Sequence, residues 1–177
     1  MRTISIGMMT GLVFCAGIGA AMAGPDHDAA PVASSSELER VKSLAGRWEG
    51  TMREGDGTGG PAAVEYKVTS GGSVVVETLF PGTPHEMVSV YHDAPGGQLS
   101  LTHYCMLGNQ PELNLVSAAD RQMDFSLASG SAIPASEQHM HALTLTWLDP
   151  DHLRQVWTSQ KDGQANNPTT IELSRVR

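Results

Sequence analysis

Two side chains with metal-binding chemistry stand two positions apart in the segment 98–106. The segment alternates between apolar and polar residues, which is typical of a half-buried strand. The alternation groups His103 and Cys105 with the apolar Leu99 and Leu101. We therefore expect both side chains to point into the core near one end of the strand. A lone cysteine is more often a small buried hydrophobe than a ligand, so that role stays open for the thiol.

A second candidate strand carries two histidines in the same arrangement. In 139–148, His139 and His141 share a face with two leucines and a tryptophan. An H-x-H pair presents both imidazole rings on one side of a strand, and imidazole and thiolate are both ligands of zinc and copper. The two strands together predict a metal-binding set of His103, Cys105, His139 and His141.

Further residues are predicted around the same pocket, and ordinary roles remain open for all of them. Buried histidines usually form hydrogen bonds, and histidines are common at a wet barrel rim. A carboxylate on a neighbouring strand would serve as a ligand or a general base. The additional pocket residues are Tyr104 and Asn109, with Glu77, Glu86 and Trp147 as secondary choices.

A hydrolase triad is disfavoured, although its residue types occur close together. Ser89, His92 and Asp93 lie within five positions of one another, and adjacent positions do not build triad geometry. No other catalytic set is recognisable in the sequence. Enzymatic activity therefore stays open, and binding is the favoured role.

The elements that must position these residues are short strands separated by turn residues. No helical period appears between the strands, which favours an antiparallel sheet over a βαβ fold. A closed meander leaves no exposed edges, so we predict an all-β, up-and-down barrel of about ten strands with one short N-terminal helix. A β-sandwich is the alternative. The helix is predicted over 36–43, with Ser36 as its cap and Glu39 in a capping box. The predicted strands are 47–54, 62–69, 73–80, 86–92, 98–106, 112–117, 122–127, 139–148, 152–160 and 169–176.

The N-terminal residues are typical of an exported protein. Residues 1–23 combine Arg2, an apolar stretch over 4–20 and small residues before Gly24, which predicts a cleaved signal peptide. A retained membrane anchor is the alternative. Residues 24–35 are predicted to form a flexible leader and 36–177 the barrel domain. We therefore expect a periplasmic or secreted protein with no stable membrane span after cleavage.

Charge and cysteine content limit the partners. The chain of 177 residues has a formal net charge of −8, and no cluster of Lys and Arg occurs in it. Nucleic acid is therefore an improbable partner, because phosphate binding requires a basic surface. Cleavage after residue 23 would leave Cys105 as the single cysteine, so no internal disulfide is expected. The mature protein is expected to be a monomer, or a dimer bridged through that thiol.

Two motifs resemble those of known barrel families. The segment 44–50 (Leu-Ala-Gly-Arg-Trp-Glu-Gly) resembles the G-x-W motif of calycin barrels, which include lipocalins, fatty-acid-binding proteins and nitrobindin-like haem barrels. In those families the tryptophan, here Trp48, plugs the barrel bottom. The segments 102–105 (Thr-His-Tyr-Cys) and 108–111 (Gly-Asn-Gln-Pro) resemble a motif of exported calycin-like bacterial proteins of uncharacterised function. The C-terminal histidine of nitrobindin-like barrels has no counterpart in 169–177.

The resemblance and the residue patterns predict the same role. The protein is expected to be an exported β-barrel that binds a hydrophobic or amphipathic small molecule in its interior. The alternative is a metal-binding or haem-binding protein, or a metal-dependent enzyme, that uses the four predicted ligands. Zinc or copper would then be the cofactor, ahead of haem.

Overall fold

The structure, a computed structural model, describes residues 33–177. The predicted signal peptide, and the leader as far as residue 32, lie outside the described residues. The elements are, in chain order, α1 (Ser36–Lys42), β1 (Gly46–Arg53), β2 (Gly59–Thr69), β3 (Val74–Leu79), β4 (Met87–Asp93), β5 (Leu99–Tyr104), β6 (Glu112–Ala119), β7 (Gln122–Leu127), β8 (His139–Asp149), β9 (His152–Lys161), β10 (Gln164–Ala165) and β11 (Thr169–Arg175). No helix within 33–177 is long and apolar enough to span a membrane.

Ten of these strands form one closed antiparallel barrel. Each strand from β1 to β9 pairs with the next along the chain, and β11 pairs with both β9 and β1 to close the circuit. The two-residue β10, which the sequence did not predict, pairs only with the end of β9. The prediction of an all-β, up-and-down barrel of about ten strands is confirmed, and the sandwich alternative is wrong.

The predicted helix is present, but its cap is one residue earlier than expected. The hydroxyl of Ser35 accepts a hydrogen bond from the Leu38 amide at 3.0 Å. Ser35 also donates through its amide and hydroxyl to the Asp93 carboxylate, which ties the helix to the end of β4. The predicted capping box does not form, because Glu39 pairs with Lys42 at 2.7 Å instead.

The helix and Trp48 close one end of the barrel. Leu38, Val41 and Leu44 are buried there, and each such side chain contributes about 1.5–3 kcal/mol through the removal of apolar surface from water. Trp48 is 1% exposed, and its indole N–H donates to the Leu44 carbonyl at 2.8 Å. The guanidinium of Arg175 lies 4.2 Å from the centre of the indole ring. We call this the closed end.

Loop length distinguishes the closed end from the opposite, open end. The closed-end connections are short and turn-rich, and Gly71 and Gly72 supply the positive φ angles, 64° and 93°, of the β2–β3 turn. Longer loops surround the open end, as is usual where a barrel binds a ligand. The connections at the open end are 54–58, 80–86, 105–111, 128–138 and 162–168.

Candidate functional site

A row of polar side chains crosses four neighbouring strands inside the barrel. Tyr66 of β2 lies opposite Glu77 of β3, Glu77 lies opposite Ser89 of β4, and Ser89 lies opposite His103 of β5. All four residues are buried, and three of them are exposed by 1% or less. Because directly paired residues share one face of a sheet, their side chains form a continuous series. We call these four residues the polar row.

The Glu77 carboxylate is surrounded by hydrogen-bond donors. Oε1 accepts from the Tyr66 hydroxyl at 2.7 Å and from Nε2 of Gln155 at 2.5 Å. Oε2 accepts from the Tyr91 hydroxyl at 3.0 Å. Burial raises the pKa of Glu77, and hydrogen bonds from these three residues and from Ser89 oppose that rise. The network satisfies a carboxylate that would otherwise be costly to bury.

His103 ends the polar row and leaves one nitrogen without a partner. The Ser89 hydroxyl lies 3.0 Å from Nδ1, and the imidazole packs on the Trp157 ring with 4.7 Å between centroids. Nε2 is buried and has no hydrogen-bond partner among the described residues. Burial lowers the pKa of His103 to about 4, so the ring is neutral at pH 7.

A cavity of about 100 Å³ lies beside His103 at the open end. Its walls are mainly apolar and include Met87, Met140 and Trp157. These three residues also line a wider depression of about 590 Å³ at the barrel mouth. The imidazole with the unpartnered Nε2 therefore lines an apolar cavity whose walls continue into an open mouth. Small-molecule sites usually have this composition.

Of the other residues predicted near His103, only Cys105 reaches the mouth. Cys105 follows the end of β5 and lies in a turn, where its amide donates to the Asn109 carbonyl at 3.2 Å. Burial raises the pKa of its thiol, which disfavours the thiolate that metals bind. Tyr104 is half exposed and faces away from the interior. The expectation that strand alternation continues through 106 is wrong, because β5 ends at Tyr104.

Asn109 fixes a loop and does not line either cavity. Its side-chain Nδ2 donates to Oε1 of Glu137 at 2.9 Å and to the Gln138 carbonyl at 2.8 Å. These bonds hold the end of the 128–138 loop against the turn that follows β5. The NH2 group is satisfied by this loop, which gives the side chain a structural role at the rim, whereas the buried Oδ1 has no hydrogen-bond partner among the described residues.

The expected inward direction of His139 and His141 is wrong because β8 contains a β-bulge. The register with β9 shifts between Met140 and Ala142, so His141 is an extra residue. Met140 consequently lines the cavity. His139 lies opposite Gln160 of β9, on the face away from the cavity, where it is only 4% exposed and its Nδ1 donates to the Glu137 carbonyl at 2.8 Å. Its Nε2 lies 3.4 Å from Nδ1 of His141.

The four predicted metal ligands are not brought together. Among residues 33–177, no three His, Cys, Asp or Glu side chains are placed to hold a metal ion. His103 lies inside the barrel, Cys105 lies at its mouth, and the other two histidines form a pair outside it. The strands β5 and β8 are separated by two others, so alternation alone did not determine whether their side chains converge.

Of the three residues predicted as secondary choices for the pocket, only one belongs to the site. Glu77 belongs to the polar row. Glu86 is exposed and accepts the Gly82 amide within the 80–86 loop. Trp147 lies at the closed end, where the guanidinium of Arg40 is 4.7 Å from its ring centre. Neither of these two residues lines the cavity beside His103.

The site residues that the sequence analysis leaves out of its predicted set come mostly from β9. Gln155 and Trp157 alternate inward with Leu153, and the indole N–H of Trp157 donates to Oε1 of Gln155 at 2.9 Å. The alternation of Leu153 and Trp157 with Arg154 and Thr158 along the sequence could have identified this face. Ser89 is also in the site, but it is fully buried and contacts Nδ1 of His103, so it is a positioning residue within the polar row.

Comparisons with known proteins support the barrel fold. No protein-family model matches the sequence, and no curated protein matches it significantly. A protein of unknown function from the DUF3598 family of Nostoc punctiforme matches with a TM-score of 0.53 and 13% identity, over 77% of this chain and 49% of that chain. Rv2717c from M. tuberculosis matches with a TM-score of 0.53 and 14% identity, over 82% of this chain and 100% of that chain. The chain thus spans about half of the Nostoc protein, and the likeness shows the fold alone.

Proposed function

We propose that this protein binds a hydrophobic or amphipathic small molecule at the open end of the barrel. The ligand's polar head contacts Nε2 of His103, and its apolar body lies against Met87, Met140 and Trp157. One observation carries the proposal: a buried imidazole nitrogen without a partner lies beside an apolar cavity. An unpaired buried polar group costs about 1–3 kcal/mol, which a ligand recovers when it pairs with the nitrogen.

The connection between cavity and mouth supports a ligand larger than the inner cavity. The inner space is about 100 Å³ and the mouth about 590 Å³, and both are lined by Met87, Met140 and Trp157. Apolar surface removed from water there contributes about 25 cal/mol per Å². Methionine side chains adapt to irregular shapes, which suits an apolar chain of variable form.

Displacement of a fluorescent apolar probe tests this proposal. N-phenyl-1-naphthylamine is titrated into the purified protein and into Met140→Trp, whose larger side chain fills the cavity. We expect at least about a tenfold loss of probe affinity in that variant, which corresponds to about 1.4 kcal/mol. The control is Val116→Trp, since Val116 is 65% exposed on β6. Equal affinity in Met140→Trp and the control contradicts binding at this cavity.

A metal ion at the outer histidine pair is a second candidate. Two nitrogens of one tetrahedral zinc ion, each at about 2.0–2.1 Å from the metal, lie about 3.4 Å apart. Nε2 of His139 and Nδ1 of His141 are separated by 3.4 Å. The Glu137 carbonyl orients the first ring, as such partners do for metal-bound histidines.

Elemental analysis and absorption spectroscopy on protein purified without a tag or chelator test the second candidate. Stoichiometric zinc or copper that is lost in His141→Ala and kept in His152→Ala would support it, since His152 is exposed and pairs with Asp149. A Soret band would indicate haem, because a neutral imidazole nitrogen is a common axial ligand. Metal-free, colourless protein contradicts both the metal site at the histidine pair and haem binding.

Export is part of the proposal. The n-region, apolar stretch and small residues before Gly24 support cleavage after residue 23. Intact-mass measurement of protein from the native host tests it. A chain that begins at Gly24 supports export, and a chain that retains residues 1–23 contradicts it.

A further inference from the structure

The direction of the hydrogen bonds in the barrel interior is set by Trp157. An indole N–H can only donate, and it lies 2.9 Å from Oε1 of Gln155. That contact orients the Gln155 amide, so its Nε2 group points to the Tyr66 hydroxyl at 2.6 Å and to Glu77 at 2.5 Å. Gln155 therefore donates to both residues.

The same direction continues through the polar row. Because the Tyr66 hydroxyl oxygen accepts from Gln155, its hydrogen is directed to Oε1 of Glu77 at 2.7 Å. An ionised carboxylate has only acceptor atoms, and Tyr91 donates to the other oxygen. Ser89 lies directly opposite Glu77 on the same face of the sheet, and its hydroxyl is one of the groups that favour the charged carboxylate, so we infer that its hydrogen points to Glu77.

The orientation of Ser89 determines which nitrogen of His103 carries the proton. When the hydroxyl hydrogen of Ser89 points to Glu77, its oxygen is an acceptor for Nδ1–H of His103 at 3.0 Å. A neutral imidazole carries one N–H, so Nε2 then holds a lone pair. We propose that the polar row presents this lone pair to the cavity as a hydrogen-bond acceptor, so that the ligand carries an uncharged hydroxyl or N–H head group.

The charges at the mouth point to the same class of ligand. Glu54 and Asp56 line the mouth, and no Lys or Arg is among the described residues that line it or the inner cavity. A carboxylate head group would be repelled by these acids and would place acceptor atoms against the Nε2 lone pair. This inference rests on the proposed function and specifies the head group of its ligand.

The tautomer of His103 can be measured on the unmodified protein. Nitrogen-15 NMR of protein with labelled histidine distinguishes a protonated from an unprotonated ring nitrogen. We expect Nδ1 of His103 to be protonated and Nε2 to be unprotonated at pH 7. In Ser89→Ala the Nδ1 partner is gone, so the tautomer populations shift. The matched control is Ser100→Ala, because Ser100 is equally buried but donates to Asn114 away from the polar row.

A matched ligand series tests the head group directly. Decan-1-ol and methyl nonyl ether are isomers, but only the alcohol has a hydroxyl hydrogen to donate. Decanoate has a negatively charged head group. Each competes with N-phenyl-1-naphthylamine for the protein. We expect decanol to bind about fivefold more tightly than the ether, as one neutral hydrogen bond allows, and decanoate to bind weakest. Ser89→Ala reduces the preference for decanol, and Ser100→Ala keeps it.

The outcomes separate this inference from the proposed function. Displacement by the ether as strong as by decanol, or an Nε2–H tautomer in the unmodified protein, overturns the head-group assignment and leaves a binding barrel. Failure of the probe and of every ligand to bind overturns the proposed function as well. An Nε2–H tautomer would in addition predict that the ether and decanoate bind as acceptors.

Discussion

The two ends of the barrel are built from similar residues for different purposes. At the closed end, Trp48 has its N–H bonded to the Leu44 carbonyl and its ring covered by Arg175. At the open end, Trp157 has its N–H bonded to a side chain, Gln155, and its ring covered by an imidazole with a free nitrogen. The closed end satisfies every group of its tryptophan with the fold itself. At the open end, Nε2 of the covering imidazole has no partner among the described residues.

From this contrast we propose that the closed end supplies stability and that the open end supplies binding. Polar groups that are satisfied by the backbone add to the fold, whereas an unsatisfied polar group in a cavity lowers stability until a ligand pairs with it. Substitutions at the closed end should therefore change the free energy of unfolding with little effect on affinity. Substitutions at the open end should change affinity.

The largest effect is expected for Trp48→Ala. Removal of this buried ring leaves a cavity and takes away the aromatic surface on which Arg175 packs, and it should lower the free energy of unfolding by about 3–5 kcal/mol. Urea denaturation measures the loss, and probe titration of the folded fraction should give unchanged affinity. Trp147→Ala is the control, since Trp147 is only partly buried at the same end. A selective loss of affinity in Trp48→Ala would break the contrast between the ends.

Acidification should weaken the fold through the open end. The folded-state pKa of His103 is about 4 against an ordinary value of 6.5, so between these values the unfolded chain binds a proton that the folded chain does not. The folded state is therefore favoured most when His103 is neutral in both states. This contribution to the free energy of unfolding is complete above pH 6.5 and is lost as the pH falls towards 4, with a total of about 3 kcal/mol. The raised pKa of Glu77 acts in the opposite direction at acid pH, because the folded carboxyl protonates first.

Urea denaturation of the wild type and of His103→Gln at several pH values isolates the histidine. Both proteins retain Glu77, so the difference between their stability curves reports His103. The wild type should lose stability relative to the variant between pH 6.5 and 4. Parallel curves across that range would mean that His103 titrates normally, and the buried, neutral imidazole would be disproved.

Trp157→Phe should have an intermediate effect on binding. Phenylalanine keeps an aromatic wall but lacks the N–H that holds Gln155, so the amide can rotate and the direction of the polar row is lost. We expect a decrease in decanol affinity of about 1–2 kcal/mol, as one buried hydrogen bond allows. The loss for methyl nonyl ether should be smaller, and competition titration of both ligands measures the difference. Equal losses would show that Trp157 acts through shape alone.

The smallest effect is expected for Cys105→Ser. The thiol lies at the mouth, and burial raises its pKa, which disfavours the thiolate as a ligand group. Probe affinity should change by less than about 0.5 kcal/mol. A larger loss would extend the binding surface from the inner cavity to the turn that follows β5.

How far the sequence predicted this site is shown by comparing β5 with β8. In β5, alternation places Leu99, Leu101 and His103 on the inner face, as the packing of both leucines in the core and the position of His103 beside the cavity show. In β8 the same reasoning fails at His139, because a bulge adds one residue and turns this side chain to the opposite face of the sheet. A bulge is a property of the pairing between two strands, so the alternation of one strand contains no sign of it.

The polar row illustrates a second limit of the sequence. The strand bounds are within three residues of their predicted positions, and the helix is where its pattern placed it. The sequence pattern, however, identifies site residues strand by strand. Nothing in the sequence links Glu77 to Ser89, and only the register between β3 and β4 shows that they face each other. Register across a barrel depends on all its turns together, which no single segment encodes.

The pairing of β1 with β11 has a consequence for how the chain folds. Trp48 lies opposite Arg175, whereas almost every other pairing joins strands that follow one another along the chain. Hairpins between sequential strands form early, because little chain entropy is lost when their ends meet. Closure must wait until the final strand arrives, and until then β1 and β9 are open edges that can pair with another copy. Slow closure, and aggregation when the last strand is removed, are thus built into the order of the strands.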